Sequence, residues 1–223
     1  MGKNLKLAAW NKGGANQELK KKRNEIEALL QEQDIDCLGI IEANLRQSAD
    51  ETDANIEGYN LVWDEGREIM SKQNSRVVMY IKEELSYEVV RKNMEGDLMP
   101  EIWIKLGHKG TRRTLVGMVY REHTPWKTKE SSIKNQEERL KKWLEARQHV
   151  WMGKEEAYMM GDLNLDWLRQ GDAKYKGDEL QTKGWAQLVG SITHKTNREG
   201  VVSESLIDHI WTNMAQKVAK TGQ

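Results

Sequence analysis

What most limits the fold of this chain is a succession of strand-length apolar runs, several of which end on a polar residue. Asn11 follows Leu7-Ala8-Ala9-Trp10, Glu42 follows Leu38-Gly39-Ile40-Ile41, and Tyr120 follows Val116-Gly117-Met118-Val119. Asp162 and Asn164 come after Tyr158-Met159-Met160-Gly161, and Asp208 sits inside Leu206-Ile207-Asp208-His209-Ile210. In a layered α/β protein, strand ends gather side chains that are distant in sequence onto one rim.

The order of elements is consistent with such layers. Lys6 to Trp10 reads as a short strand. Leu19 to Gln33 follows with Leu19, Ile26, Leu29 and Leu30 at helical spacing. Ile35 to Ile41 is apolar throughout, as expected of a strand covered on both faces. The middle then turns β-rich: Arg76 to Ile81, Tyr87 to Arg91, Glu101 to Leu106 and Thr114 to Tyr120 look like consecutive antiparallel strands. A second helix is expected over Glu130 to His149, a buried strand over Ala157 to Met160, a helical piece over Trp185 to Val189, and a final strand over Ser205 to Trp211. No Pro/Gly/Ser-rich linker or internal repeat divides the chain. One α/β domain over 1–223 is expected, with two sheets face to face and helices outside.

Bulk properties add limits. A hydrophobic fraction of 38% with nine Trp is enough for a core in 223 residues. Basic and acidic residues number 35 each, so any nucleic-acid site must come from local asymmetry rather than net charge. The single cysteine, Cys37, cannot form an intramolecular disulfide or alone make a zinc site, and its apolar surroundings mark it as a small buried hydrophobe. No apolar stretch approaches the roughly 20 residues that span a bilayer. The start has no signal-peptide core, and Gly2 is a weak myristoylation cue. A soluble, reducing, intracellular setting without membrane contact is the expectation.

Taken singly, each polar strand end has a plain explanation. Acids there are ordinary loop starts or helix caps, Asn11 before Lys12-Gly13-Gly14 is an ordinary turn residue, and Tyr120 is an ordinary half-buried aromatic. Recurrence at five strand ends favours a shared site. Carboxylates and amides brought together suit a hard, oxygen-seeking cation such as Mg²⁺.

In order, Trp10-Asn11, Ile41-Glu42-Ala43-Asn44, Ser75-Arg76-Val77-Val78-Met79-Tyr80-Ile81, Val119-Tyr120-Arg121, Gly161-Asp162-Leu163-Asn164 and Ser205-Leu206-Ile207-Asp208-His209-Ile210-Trp211-Thr212-Asn213 run through the chain. This ordered set resembles the endonuclease/exonuclease/phosphatase superfamily, and its last block resembles the endonucleases of non-LTR (LINE-type) retrotransposons. The resemblance implies a DNase I-like, four-layer α/β/β/α sandwich with two mostly antiparallel sheets. It implies Mg²⁺-dependent phosphodiester hydrolysis, with Mn²⁺ as a substitute ion and DNA as substrate. The implied activity is nicking of target DNA for primed reverse transcription, in the nucleus. The domain would be monomeric and fused to a reverse transcriptase in a longer polyprotein.

The resemblance also implies roles. Glu42, helped by Asn11, would hold the ion; Asp162 would position or deprotonate the attacking water, and Asn164 would fix its neighbour. Tyr120 would donate to the phosphate, and Asp208 would orient a catalytic histidine. That histidine lies in a Ser-Asp-His strand downstream of the last block, which the sequence does not reach by Gln223. A domain lacking its last strand, with lowered activity, is therefore the expectation. His209 is not its replacement, because neighbouring strand residues face opposite sides. Substrate contacts are expected from Arg121, His123 and Trp126, with the lysines of the second helix set against an ordinary solvated face. Two other readings stay open here: an abasic-site repair endonuclease, and a non-catalytic remnant of the fold that binds DNA or protein.

Overall fold

The computed structural model describes residues 4–12, 19–46, 51–64, 74–92, 99–121, 129–168, 179–198 and 201–222. The chain begins with β1 (Leu7–Asn11), a 3₁₀ turn at Leu19–Lys22, and α1 (Arg23–Glu32). Next come β2 (Cys37–Arg46), the single turn α2 (Glu51–Ala54), β3 (Tyr59–Trp63) and β4 (Asn74–Lys82). These strands form one sheet in the order β1-β2-β4-β3, with β1 parallel to β2 and the other pairs antiparallel.

The second sheet is built from β5 (Ser86–Lys92), β6 (Glu101–Gly107), β7 (Thr114–Tyr120), β8 (Ala157–Asp162), β9 (Ala186–Gln187) and β12 (Asp208–Thr212). Its order is β5-β6-β7-β8-β12-β9, and only β7 and β8 run parallel. Between β7 and β8 lie α3 (Lys129–Ala146) and the short α4 (Gln148–Trp151). A separate hairpin, β10 (His194–Arg198) with β11 (Val201–Ser205), precedes β12.

Three apolar clusters make the layers. Val77, Met79 and Ile81 of β4 meet Ile104, Met118 and Met160 of the second sheet, forming the core between the sheets. On its other face β4 presents Val78 and Tyr80, which join Leu38 and Ile40 under Ile26 and Leu30 of α1. Outside the second sheet, Leu140, Trp143 and Leu144 of α3 cover Trp103, Met159 and Trp211. The result is helix, sheet, sheet, helix, the architecture expected from the sequence. Among the described residues no helix is long and apolar enough to cross a membrane.

Several boundaries differ from the sequence reading for physical reasons. The strands from Arg76 onward are not one run: β4 pairs with β2 and β3, and the chain changes sheet before β5. Ladder partners leave no mark on a strand's own sequence. The helical piece expected over Trp185 to Val189 is a bridge strand instead; helical turns occupy 179–182 and stop at Gly184, whose φ is +82°. β3 and the β10–β11 hairpin carry no clean apolar alternation and were not visible in the sequence. The second helix divides into α3 and α4 around Arg147.

Candidate active site

Polar residues of five strands meet at one rim between the two sheets, four at strand ends and Glu42 inside β2. Tyr120 at the end of β7 stands in register with Asp162 at the end of the parallel β8. Asp162 in turn faces Asp208, the first residue of β12, across an antiparallel pair. Gly161 permits this approach: its φ is +144°, and a Cβ there would lie 1.8 Å from the Val119 carbonyl oxygen. From the other sheet, Asn11 reaches across to donate from Nδ2 to Asp162 Oδ2 at 3.0 Å. The Asn11 side chain is also near enough to Asp208 to favour its charged form.

Glu42 is brought to the same place by a bulge. Ile41 pairs with Val77 and Leu45 with Ser75, so Glu42, Ala43 and Asn44 oppose Arg76 alone. Glu42 and Asn44 adopt left-handed conformations, with φ of +57° and +51°. Tyr120 then donates its hydroxyl to Glu42 Oε1 at 3.0 Å.

The Gly161-Asp162-Leu163-Asn164 turn is fixed from below. The Asn164 backbone N–H donates to Asp162 Oδ1 at 2.6 Å, and Asn164 Nδ2 donates to the Arg121 carbonyl at 2.7 Å. Arg121 is buried, and its guanidinium donates to the carbonyls of Leu163 and Asn164. The guanidinium expected to touch substrate thus also braces backbone acceptors of the turn. His123 and Trp126, also expected to touch substrate, lie outside the described residues. On α3, Lys141 and Lys142 pair with Glu145 and Glu138 one turn away, as an ordinary wet helix face does.

Electrostatically the rim sets withdrawn carboxylates against one another. Burial, then the Asp208 charge, push the Asp162 carboxyl up to about 8. Burial also raises Asp208, against bonds from Thr193 and Asn11 and the charge of His194. The buried Asp208 Oδ1 accepts no hydrogen bond. Two cations that the sequence reading did not single out stand close by. Lys12 is buried at the end of β1, and burial lowers its pKa while the Glu42 charge opposes that shift. Arg76 is 5% exposed, with its guanidinium carbon 5.3 Å from the Tyr120 ring centre. A lone arginine within an otherwise apolar strand was the available signal.

These donors are all oxygens, which fits a hard cation and not zinc. Among the described residues no group of three or more acidic or imidazole side chains encloses a metal position. Glu42 with an amide neighbour is the kind of sparse oxygen set that a hard, largely hydrated cation accepts.

His209 points to the opposite face of β12. It is 2% exposed, with Nε2 2.9 Å from the Leu165 carbonyl and Nδ1 2.5 Å from Gln187 Nε2. Nε2 thus donates, Nδ1 accepts, and burial lowers the pKa to about 4. A small cavity beside it, lined by Leu144, Leu165 and Trp167 among others, is apolar and has no carboxylate in its lining.

The two-sheet fold described here is shared with solved structures of endonuclease/exonuclease/phosphatase proteins. The sequence matches no family model and no curated protein. Solved structures match it in fold. An endonuclease/exonuclease/phosphatase family protein from Bacteroides thetaiotaomicron is 19% identical, with a TM-score of 0.62 over 96% of this chain and 84% of the other. The endonuclease domain of TRAS1, a telomere-specific non-LTR retrotransposon, is 14% identical, with a TM-score of 0.59 over 93% and 84%. TDP2 from D. rerio, solved with a single-strand DNA product, is 13% identical, with a TM-score of 0.63 over 97% and 86%.

Proposed function

We propose that this chain is a Mg²⁺-dependent phosphodiesterase that nicks DNA, of the kind encoded by non-LTR retrotransposons. The observation that carries the reading is the convergence of Asn11, Glu42, Tyr120, Asp162 and Asp208 from five strands of two sheets. The fold shared with the TRAS1 endonuclease and with TDP2 supports a nucleic-acid phosphoester as substrate. On this reading the domain acts as a monomer in the nucleus, joined to a reverse transcriptase.

Each residue has a task that its surroundings favour. Glu42, aimed by the bulge and helped by Asn11, would hold the cation. A bound Mg²⁺ would supply Lewis-acid charge for a phosphate oxygen and the leaving oxygen. Asp162 has a pKa close to the working pH, which suits a group that takes a proton from attacking water. The Asn164 N–H and Asn11 Nδ2 hold its two oxygens, so its aim is set before substrate arrives. Tyr120 carries a hydroxyl proton at the same edge, available to a phosphate oxygen whenever Glu42 is otherwise engaged.

Supercoiled plasmid incubated with Mg²⁺ should be converted to open circles, and EDTA should stop the conversion. A duplex carrying one abasic site tests the repair alternative. Equal cutting of intact and abasic duplex is expected; cutting confined to the abasic strand would replace this reading.

A further inference from the structure

The Glu42 bulge is held by a device outside the carboxylate set. Three residues, Glu42 to Asn44, oppose Arg76 alone, which leaves the β4 backbone without its regular partners there. On the β3 side the buried Asp64, which follows Trp63, anchors the strand: its Oδ1 accepts from the Arg76 N–H at 2.8 Å and the Val77 N–H at 2.7 Å. The Ser75 hydroxyl donates to the Asp64 carbonyl at 2.7 Å, closing the anchor. So fixed, Arg76 sends its guanidinium across the bulge. One arm donates to Asn44 Oδ1, and the other lies 3.4 Å from the Tyr120 hydroxyl. Tyr120 in turn donates its hydroxyl hydrogen bond to Glu42.

We propose that Arg76 is a positioning residue that aims the Glu42 carboxylate by locking the Glu42–Asn44 bulge and the Tyr120 ring. The inference rests on the reading of Glu42 as the carboxylate that holds the cation. Its physical basis is that left-handed residues such as Glu42 persist only where neighbours over-determine them. The guanidinium is a rigid planar fork, so it fixes two acceptors at once, which an ammonium on a flexible stem cannot do. Fork geometry and simple charge make opposite predictions. A buried cation near Glu42 repels Mg²⁺, so its removal would tighten metal binding if charge were its whole effect. If aim matters, removal weakens binding.

The test is Mg²⁺ affinity by calorimetry on the whole chain, with melting curves and Tyr ¹³Cζ NMR, the Tyr120 signal being assigned by its loss in Tyr120→Phe. In Arg76→Met and Arg76→Lys we expect Mg²⁺ binding weaker by about tenfold, the usual cost of losing a residue that orients a ligand. The Tyr120 signal of the metal-free chain should shift in both. Unchanged or tighter Mg²⁺ binding in a folded Arg76→Met protein would overturn the proposal. If Arg76→Met does not fold, Asn44→Ala removes one acceptor of the same fork and should weaken binding by a smaller factor; no weakening would overturn it. Glu42→Gln separates the two levels. Were it to bind Mg²⁺ like the wild type, the metal reading itself would fall, and an unmoved Tyr120 signal in Arg76→Met would then dispose of the positioning role as well.

Discussion

Asp162 and Asp208 face each other across the β8–β12 ladder, both largely withdrawn from water. Two like charges so placed resist ionising together. Asp162, with its pKa raised to about 8, keeps its proton at neutral pH in the metal-free chain. A carboxyl whose folded pKa exceeds its unfolded value stabilises the fold at low pH, and that contribution is lost as pH rises through the folded value. Asp162→Asn removes the penalty. It should melt higher than the wild type at pH 9 without metal, while DNA cleavage falls by about 10²–10⁴ if the carboxylate is the base. A variant that melts no higher at pH 9 would refute the burial argument, and one that still cuts would refute the role. Both readings come from single-residue chemistry.

At the scale of elements, the turn after β8 and the seam under α3 each depend on a buried arginine. Arg121 satisfies the Leu163 and Asn164 carbonyls. Arg121→Ala should therefore lower the rate with little change in KM for DNA; a large rise in KM with a shallower salt dependence would instead mark a phosphate contact. Under α3, the fully buried Glu101 accepts from Arg147, Trp103, Trp143 and Arg91. Burial alone would raise its pKa, but the bond and charge of Arg147 prevail and lower it. Glu101→Gln would leave Arg147 buried without its counter-charge, costing about 3–5 kcal/mol in urea unfolding. A loss below 1 kcal/mol, roughly the worth of an exposed pair, would show that water reaches the seam. These two elements also mark where the sequence stopped being informative. Leu140, Trp143 and Leu144 announced a helix by spacing, and Val77 to Ile81 announced a strand. Nothing in the order of residues showed that Arg121 would turn inward, that Arg76 would fill a bulge, or that β4 and β5 belong to different sheets. Those outcomes depend on ladder partners and on which carbonyls a turn leaves unpaired.

For the whole molecule, two buried ionisable groups pull the pH dependence of stability in opposite directions. His209 is held neutral with a pKa of about 4, so acid favours the unfolded chain, where the imidazole takes a proton from roughly pH 6.5 downward. Asp162 has the opposite sign: its contribution is lost from about pH 4 upward and is gone above about 8. Between about pH 4 and 6.5 the two trends offset each other, so the melting temperature of metal-free protein should be level there and fall from about pH 6.5 to 8, and His209→Gln should make it fall across the whole range. A profile with no fall between about pH 6.5 and 8 would mean that Asp162 is not buried as described. The polar strand ends were readable in the sequence as a set because each interrupts an apolar run at the same structural place. Their mutual arrangement was supplied by two features the sequence expresses only faintly, the close β7–β8 approach at Gly161 and the Glu42 bulge.

On the proposed function Glu42 and Asp162, from different sheets, serve one phosphodiester-cleaving centre, and that unity can be measured. Its most direct test is the Mg²⁺-dependent rate of plasmid nicking by the wild type, Glu42→Gln, Asp162→Asn and the double variant. Residues that act as a unit are non-additive, so the double variant should be about as slow as the slower single variant. Equal rates in all four proteins, or losses that multiply in the double variant, would contradict it.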